Sequence, residues 1–360
     1  MARKYNFYAG PAVLPLTVLE QIQKEIVDFH GMGMSLIETS HRSREYDEVH
    51  NGAVTVIRDL LRIPENYHVL FLGGGATLQF GMIPMNFLHN GRTCDFTLTG
   101  QWSKKAYADA KLYCDVNVVY DGSPGKFTEL PEASSLKCSE GSAYLHITSN
   151  ETVQGVQWQE WPDTGGIPLI ADMSSDIMSR PLPVEKFGMI YAGAQKNLGP
   201  AGVTLVIIRD DLVQSGPDDL PAYLKYKTHA EKNSLYNTPP VFAVYALKLV
   251  MEWVKDRGGL EAMKELSTDR SGCIYSTIDA SGGFYSCPVK KENRSKMNIV
   301  FTLDSPELEA RFIQEAAEQG MIGLKGHRSV GGCRASVYNS MPFEGAEVLA
   351  DFMKTFQKKN

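Results

Sequence analysis

The chain has 360 residues, with 36 basic against 42 acidic side chains and a formal net charge of −6. This length exceeds the ~250–300 residues at which one hydrophobic core stops growing, so two domains are expected. The negative net charge argues against a surface that binds nucleic acids in general, so any anion site must be local.

The six cysteines are scattered without a CxxC pair, which is typical of reduced thiols in the cytoplasm. We therefore expect no disulfide and no metal site. The N-terminal segment MARKYNFYAGPA has no apolar stretch of the signal-peptide kind, and no apolar run approaches the ~20 residues of a membrane span. These features predict a soluble cytoplasmic protein that contacts neither membranes nor nucleic acids.

The first predicted element is a helix that starts near Thr17. Thr17 and Glu20 have the spacing of a capping box, and apolar residues recur at helical spacing from Leu19 to Phe29, before Gly31. This pattern predicts one amphipathic helix after an extended, aromatic start.

Apolar runs then alternate with amphipathic stretches such as 76–89 and 101–112, which read as helices. Strands that are buried on both faces have this appearance. The pattern predicts an α/β domain with a mostly parallel seven-stranded sheet, and functional groups are expected at the carboxyl ends of the strands. The seven runs are 68–72, 94–99, 116–120, 143–149, 167–172, 189–194 and 203–208.

A long amphipathic helix is predicted from Pro239 and Pro240 to Gly258, where we place a domain boundary. The large domain is then 16–258, and 1–15 with 259–360 form a small α+β domain. The small domain is expected to contain a further helix, strands at 297–303, 321–325 and 333–338, and helices at 305–320 and from about 342.

Two residues in the large domain suggest chemistry. Lys196 follows the run MIYA in the small-residue segment AGAQKNLGPAG, and Asp172 ends the run IPLIAD. A lysine amine can condense with an aldehyde, while an aspartate can keep a pyridinium nitrogen protonated. Small apolar neighbours favour the neutral amine, because desolvation lowers a lysine's pKa. The pair indicates a pyridoxal phosphate site; the alternative is a solvated loop lysine and a turn aspartate.

A glycine run leads from a strand into a helix at Gly73-Gly74-Gly75-Ala76-Thr77. Free backbone amides and the positive end of the helix dipole suit a phosphate there. A tight turn without a ligand explains the glycines equally well.

Two more residues follow predicted strands. Trp102 can cover one face of a flat heteroaromatic ring, although core packing is the ordinary role of a lone tryptophan. Thr152, in the turn SNETVQG, can bind a phenolic oxygen or cap its own backbone.

Six motifs in order carry a resemblance over essentially the whole chain: YNFYAGPAVLP, GGGATLQF, LIADMSSD, YAGAQKNLGPAG, YNTPP and GLKGHRSVGGCRASVYN. With them the chain resembles the phosphoserine aminotransferase family of class-V aminotransferases. The resemblance implies a fold-type I pyridoxal phosphate transferase that exchanges the amino group of L-glutamate with 3-phosphohydroxypyruvate, in serine biosynthesis.

The resemblance also implies how the cofactor is held. Lys196 takes the place of the covalently bound lysine, Asp172 that of the partner of the pyridine nitrogen, Trp102 that of the stacking ring and Thr152 that of a ring-contacting hydroxyl. An Asn-Thr pair of the second subunit completes the family's phosphate site, which implies a homodimer with shared active sites. The implied phosphate ligands are Ala76, Thr77, Gln195 and, from the partner, Asn237 and Thr238. From the residues alone, Asn237-Thr238-Pro239 instead predicts a helix cap.

The tripeptide His-Arg-Ser occurs twice, and the resemblance implies that both His-Arg pairs bind the substrate phosphate, one of them from across the dimer. Arg334 takes the place of the α-carboxylate ligand. Guanidinium groups suit both anions, although lone arginines more often form surface ion pairs. The pairs are His41-Arg42 and His327-Arg328.

One position departs from the family, which often has a serine where this chain has Ala9 in Tyr8-Ala9-Gly10-Pro11. A hydroxyl contact from there to the substrate is in doubt, although main-chain amides remain available. The alternatives are another fold-type I enzyme, such as a serine or alanine:glyoxylate aminotransferase or a cysteine desulfurase, and a non-catalytic dimeric binding protein. Use of a four-carbon phosphorylated keto acid of pyridoxine biosynthesis is left open.

Overall fold

The seven apolar runs form the seven strands of one sheet in the computed structural model, which describes residues 3–360. Each of these seven predicted strands agrees with the observed strand to within two residues at either end. The strands are β1 (Tyr5–Asn6), β2 (Tyr67–Leu72), β3 (Cys94–Leu98), β4 (Val116–Asp121), β5 (Leu145–Thr148), β6 (Asn150–Glu151), β7 (Val156–Gln157), β8 (Leu169–Asp172), β9 (Met189–Gly193), β10 (Thr204–Arg209), β11 (Asn298–Phe301), β12 (Met321–Ile322) and β13 (Cys333–Ser336).

The helices cover both faces of this sheet and build the C-terminal part of the chain. They are α1 (Leu16–Glu25), α2 (Arg44–Leu61), α3 (Gly75–Phe87), α4 (Gln101–Ala110), α5 (Asp210–Gln214), α6 (Tyr226–Glu231), α7 (Val241–Asp256), α8 (Gly259–Asp279), α9 (Pro306–Glu318) and α10 (Phe343–Lys359). None of the helices in residues 3–360 combines the length and apolarity that a bilayer crossing requires.

The sheet has the strand order β2-β10-β9-β8-β5-β3-β4. Only β10 runs antiparallel to its neighbours, so the prediction of a mostly parallel sheet is confirmed. Alternate residues of each strand point into two different cores, one beneath α2 and α7 and the other beneath α3 and α4. Burial on both faces explains why the strands are continuous apolar runs.

A separate core lies in the C-terminal part of the chain, where β11 pairs with β13 and α8, α9 and α10 pack around them. The N-terminal segment joins it, because β1 pairs with β12 and Phe7 is fully buried there. Along α8, Met263 packs into the core beneath α2 and α7, whereas Ile274 packs into the C-terminal core. The boundary after Gly258 stays a prediction.

Two predicted helix caps are wrong. The first helix begins at Leu16 after Pro15, and Thr17 makes no capping hydrogen bond. The carbonyl of Pro15 already accepts from the amide of Leu19, which places Thr17 inside the first turn. The helix after Asn237-Thr238-Pro239 likewise begins at Val241, with Pro240 at the cap position and no side-chain cap. Proline's fixed φ suits a helix start without a polar side chain.

Candidate active site

Asp172 and Lys196 come to the same edge of the sheet, at the carboxyl ends of the neighbouring strands β8 and β9. Asp172 is the last residue of β8 and pairs in register with Tyr191 of β9. Its carboxylate is buried and accepts a hydrogen bond of 2.9 Å from the amide of Ser174. Burial raises the pKa of Asp172, while the nearby charge of Lys196 and the hydrogen bonds from Ser174 oppose the rise. The lysine and the aspartate therefore share one electrostatic environment.

Lys196 has a half-buried side chain, and its ammonium donates a hydrogen bond of 2.6 Å to the hydroxyl of Thr152. Its Nζ atom lies 5.3 Å from the centre of a Trp102 ring. Burial lowers the pKa of Lys196 to about 8, although the charges of Asp172 and Glu151 act in the opposite direction. More of this amine is therefore neutral near pH 7 than in an exposed lysine, whose pKa is about 10.4.

Trp102 is held in place by Glu151, a residue that the sequence reasoning missed. The Glu151 carboxylate is fully buried and accepts hydrogen bonds of 2.9 Å from the amides of Trp102 and Ser103, in the first turn of α4. The side chain of Gln154 accepts from the amide of Gln101. Burial raises the pKa of Glu151, and the two amides oppose that rise. No local sequence signal marks this role, because the carboxylate caps a helix that begins 50 residues earlier in the chain.

No side chain caps the start of α3 in the way that Glu151 caps the start of α4. The N-cap residue of α3 is Gly74, with φ of 81°, and no side chain closes the helix end. A Cβ atom on Gly74 would lie only 2.5 Å from the Leu78 side chain, so the turn requires glycine. Ala76 and Thr77 lie in the first turn, and Thr77 is exposed. The open amides of this 13-residue helix can bind a phosphate.

The N-terminal segment passes directly over the lysine. A Cβ atom on Gly10 would lie 3.3 Å from Cγ of Lys196, and the amide of Ala12 donates to the carbonyl of Gln195 at 2.8 Å. The Gln195 side chain lies against Gly193, on which a Cβ atom would approach its Oε1 atom to 2.8 Å. Close backbone packing thus fixes the loop that carries Lys196.

The family departure at Ala9 lies in the same segment. The carbonyl of Ala9 accepts a hydrogen bond of 2.7 Å from the hydroxyl of Tyr338. The main chain at this position is therefore anchored without a side-chain hydroxyl.

Three basic side chains, those of Arg334, Arg328 and His327, come from the C-terminal part of the chain. Arg334 of β13 is largely buried and donates to the carbonyl of Thr152 at 3.3 Å, while its Nε atom is buried without a partner among residues 3–360. Burial lowers the pKa of Arg334. The pKa of His327 is lowered first by partial burial and then by the charges of Arg334, Arg328 and Lys105. A positive potential therefore adjoins the lysine.

Two predicted pairs are not brought to this cluster within one chain. His41-Arg42 precede α2 and Asn237-Thr238 precede α7; Arg42, Asn237 and Thr238 are exposed. Within residues 3–360, no hydrogen bond or ion pair links any of the four to Lys196, Asp172 or Arg334. Their place in a shared site stays a prediction.

The cluster fits pyridoxal phosphate. An amine of lowered pKa, a buried carboxylate, an indole and an uncapped helix end are the groups that the aldehyde, the pyridine nitrogen, the ring face and the phosphate require. The buried Nε1 atom of Trp102 lacks a partner in the described part of the chain, as befits a site built for a further group. Fold and site together define a fold-type I pyridoxal phosphate enzyme.

The sequence comparison gives the family. The model of aminotransferase class-V matches residues 4–349. A phosphoserine aminotransferase of Halalkalibacterium halodurans is 53% identical over 356 residues, which cover 99% of both chains. This chain therefore belongs to the class-V aminotransferase family, and the predicted resemblance is confirmed.

Comparison with solved structures leads to the same family. A phosphoserine aminotransferase from Bacillus circulans subsp. alkalophilus is similar with a TM-score of 0.98 and 50% identity, over 99% of both chains. The pyridoxal phosphate-bound enzyme from Trichomonas vaginalis is similar with a TM-score of 0.90 and 39% identity, over 98% of this chain and 100% of the other. The predicted fold class, a mostly parallel seven-stranded sheet with a smaller α+β part, is confirmed.

Proposed function

We propose that this enzyme transfers an amino group reversibly between L-glutamate and 3-phosphohydroxypyruvate, giving 2-oxoglutarate and O-phospho-L-serine. The observation that carries this proposal is the placement of Lys196, 2.6 Å from Thr152 and beside the buried Asp172, with Arg334 and His327 adjacent. Relatives with this activity in their names are about half identical over the full length. The proposed setting is serine biosynthesis in the cytoplasm.

Pyridoxal phosphate would be held by the residues of the large sheet. When bound, it supplies an aldehyde carbon for the substrate nitrogen and a ring that withdraws electrons from the Cα–H bond. Asp172 would hold a proton at the pyridine nitrogen, and Trp102 would cover one face of the ring. The open end of α3 at Ala76 and Thr77, with Gln195, would bind the phosphate. Asn237 and Thr238 of a second subunit would complete that phosphate site.

Lys196 has two tasks. Its lowered pKa supplies a neutral amine that can bond to the cofactor's aldehyde carbon. When the substrate is bound, the same Nζ atom would accept the proton from the substrate's Cα as a general base and would donate it again as a general acid to complete the transfer. Thr152 holds Nζ in position, and the Gly10 backbone packs against the lysine stem.

The cationic residues would select the substrates. Arg334 would bind the α-carboxylate through two parallel hydrogen bonds, since its Nε atom is unengaged within residues 3–360. His327-Arg328, with His41-Arg42 of the partner subunit, would bind the phosphate of one substrate and the γ-carboxylate of glutamate. Histidine suits this dual role because its protonation can follow the charge of the ligand. The active form would be a homodimer.

A cysteine desulfurase is disfavoured by the thiols. Cys333 is next to Arg334 in sequence, but burial raises its pKa, so the thiolate that a nucleophile needs is scarce. A glyoxylate aminotransferase is disfavoured because two His-Arg pairs favour a phosphorylated substrate.

The purified protein's visible spectrum, followed by turnover assays, tests the proposal. Phosphoserine with 2-oxoglutarate should be converted at least tenfold faster than serine or alanine with glyoxylate, because charged contacts to the phosphate contribute about 1.5–3 kcal/mol each. Equal rates with the unphosphorylated pair would contradict it. The four-carbon phosphorylated keto acid, assayed in parallel, tests a second role in pyridoxine biosynthesis.

A further inference from the structure

A polar cavity of about 320 Å³ lies outside the Lys196 cluster. It is formed where the loop after β7 and the turn at Arg180 meet α8 and the segment before β11, and Arg180, Lys264 and Lys296 line it. None of the residues that line it belongs to the proposed cofactor or substrate sites. We propose that this cavity is a binding site for a small organic phosphate, distinct from the catalytic centre.

The charges in the cavity are unbalanced. Arg180 has a buried counter-ion, Asp176, at 4.0 Å. Lys264 and Lys296 form no ion pair within residues 3–360, and the exposed Glu261 is the one acidic side chain in the lining. The pKa of Lys296 is lowered by burial and then by the charges of Arg180 and Lys264, so the three cations repel one another. An anion among them would relieve this repulsion.

Several contacts hold the Arg180 side chain in place at the cavity. Its guanidinium donates to the carbonyls of Trp158 and Gln159 and stacks on Trp161, 4.9 Å from the ring centre. The buried Gln157 also lines the cavity. Its amide nitrogen donates to Asp176 at 3.0 Å, and its oxygen accepts from the amide of Lys296. The Arg180 guanidinium and the backbone of Lys296 are therefore fixed before an anion binds, which reduces the entropic cost of binding.

The size and the charge indicate the ligand. Two ammonium groups and one fixed guanidinium suit the several oxygens of a phosphate group. The Lys296 ammonium donates one hydrogen bond, of 2.9 Å, to the hydroxyl of Thr268 and keeps two donors for a ligand. The volume lies at the lower end of small-molecule pockets, which are about 300–1,000 Å³, and leaves room for a few carbon atoms beside the phosphate. The Trp161 ring offers an apolar wall for them.

Lysine labelling of the holoenzyme, with inorganic phosphate as the probe, tests this site directly. An acetylating reagent is added in phosphate or in chloride at equal ionic strength, and each lysine is quantified by mass spectrometry. Labelling of Lys264 and Lys296 should fall together by about tenfold at a phosphate concentration ten times the dissociation constant. Lys137, which is exposed and lies outside the lining, should not change. Equal labelling of Lys264 and Lys296 in both salts would overturn the proposal.

Two variants sharpen the result. In Lys296→Met, phosphate should protect Lys264 much less, whereas in the matched control Lys137→Met protection should persist. Full protection of Lys264 in Lys296→Met would also overturn the proposal, since it would mean that the two amines do not share a ligand. Because Lys264 is exposed, Lys264→Met provides the reciprocal variant with little risk to folding. The readout does not depend on catalysis, so the result stands whatever the outcome for the proposed reaction.

Discussion

The cluster around Lys196 and the two pairs His41-Arg42 and Asn237-Thr238 differ in how complete they are within one chain. Lys196 is anchored by Thr152 and shares its charge environment with the buried Asp172. The two pairs lie at helix starts, largely exposed, without contacts to that cluster in the described residues. One chain thus brings together the lysine, the aspartate and the basic residues Arg334 and His327, whereas the contribution of His41-Arg42 and Asn237-Thr238 depends on the proposed second subunit.

The largest expected effect is that of Lys196→Ala. This variant lacks the amine that we propose bonds to the cofactor and moves the Cα proton, so kcat should fall by more than about 10³-fold. Turnover and the visible absorbance of the lysine-bound cofactor are the measurements. The control Lys186→Ala, at an exposed position, should retain both. A normal cofactor band with full turnover in Lys196→Ala would contradict the assignment.

A dimer made of two different variant subunits tests whether a second subunit contributes residues to the site. Lys196→Ala and Arg42→Ala subunits are expected to be nearly inactive alone. If Arg42 acts across the interface, random mixing should restore about a quarter of the wild-type activity, because half of the dimers contain one intact site. Separately tagged subunits, refolded or co-expressed together, give the measurement. No recovery on mixing would place Arg42 in its own subunit's site or outside both sites.

Arg334→Lys should have an intermediate effect. Lysine keeps the charge but loses the planar pair of donors, so about 1.5–3 kcal/mol of carboxylate binding should disappear. This corresponds to a loss of roughly 10–150-fold in kcat/KM for both amino acids. Arg311→Lys, on an exposed helix face, is the matched control. Unchanged kinetics with glutamate and phosphoserine would remove Arg334 from the substrate site.

The smallest expected effect is a change in the pH dependence of cofactor binding. The pKa of Lys196 is about 8, and only the neutral amine attacks an aldehyde. In cofactor-free protein, the rate of cofactor capture should therefore rise with pH up to about 8 and level off above it. An ordinary lysine would give a rise that continues to about 10.5. Stopped-flow absorbance, measured from neutral pH to above pH 10, distinguishes the early plateau from the continued rise. A plateau only above pH 10 would contradict the burial of Lys196.

The sequence allowed much of the fold to be predicted. Seven apolar runs correspond to seven strands because burial on both faces leaves a continuous signal, and Lys196 and Asp172 were found because parallel strands end at one edge. The caps at Thr17 and Asn237 were wrong because neighbouring prolines begin both helices. Glu151 was missed because its partners, the amides of α4, are distant in sequence.

Local patterning alone predicted the seven strands of the large sheet, their order along the chain and the residue types at the strand ends, but not α2 (Arg44–Leu61). These follow from local hydrophobic patterning, which needs no knowledge of the rest of the chain. Only the tertiary structure decided that Glu151 fixes Trp102, that Gly10 packs on Lys196, and that Arg180, Lys264 and Lys296 share a cavity. Those contacts join residues far apart in the chain, and burial together with charge, which sets their properties, exists only once the chain has packed.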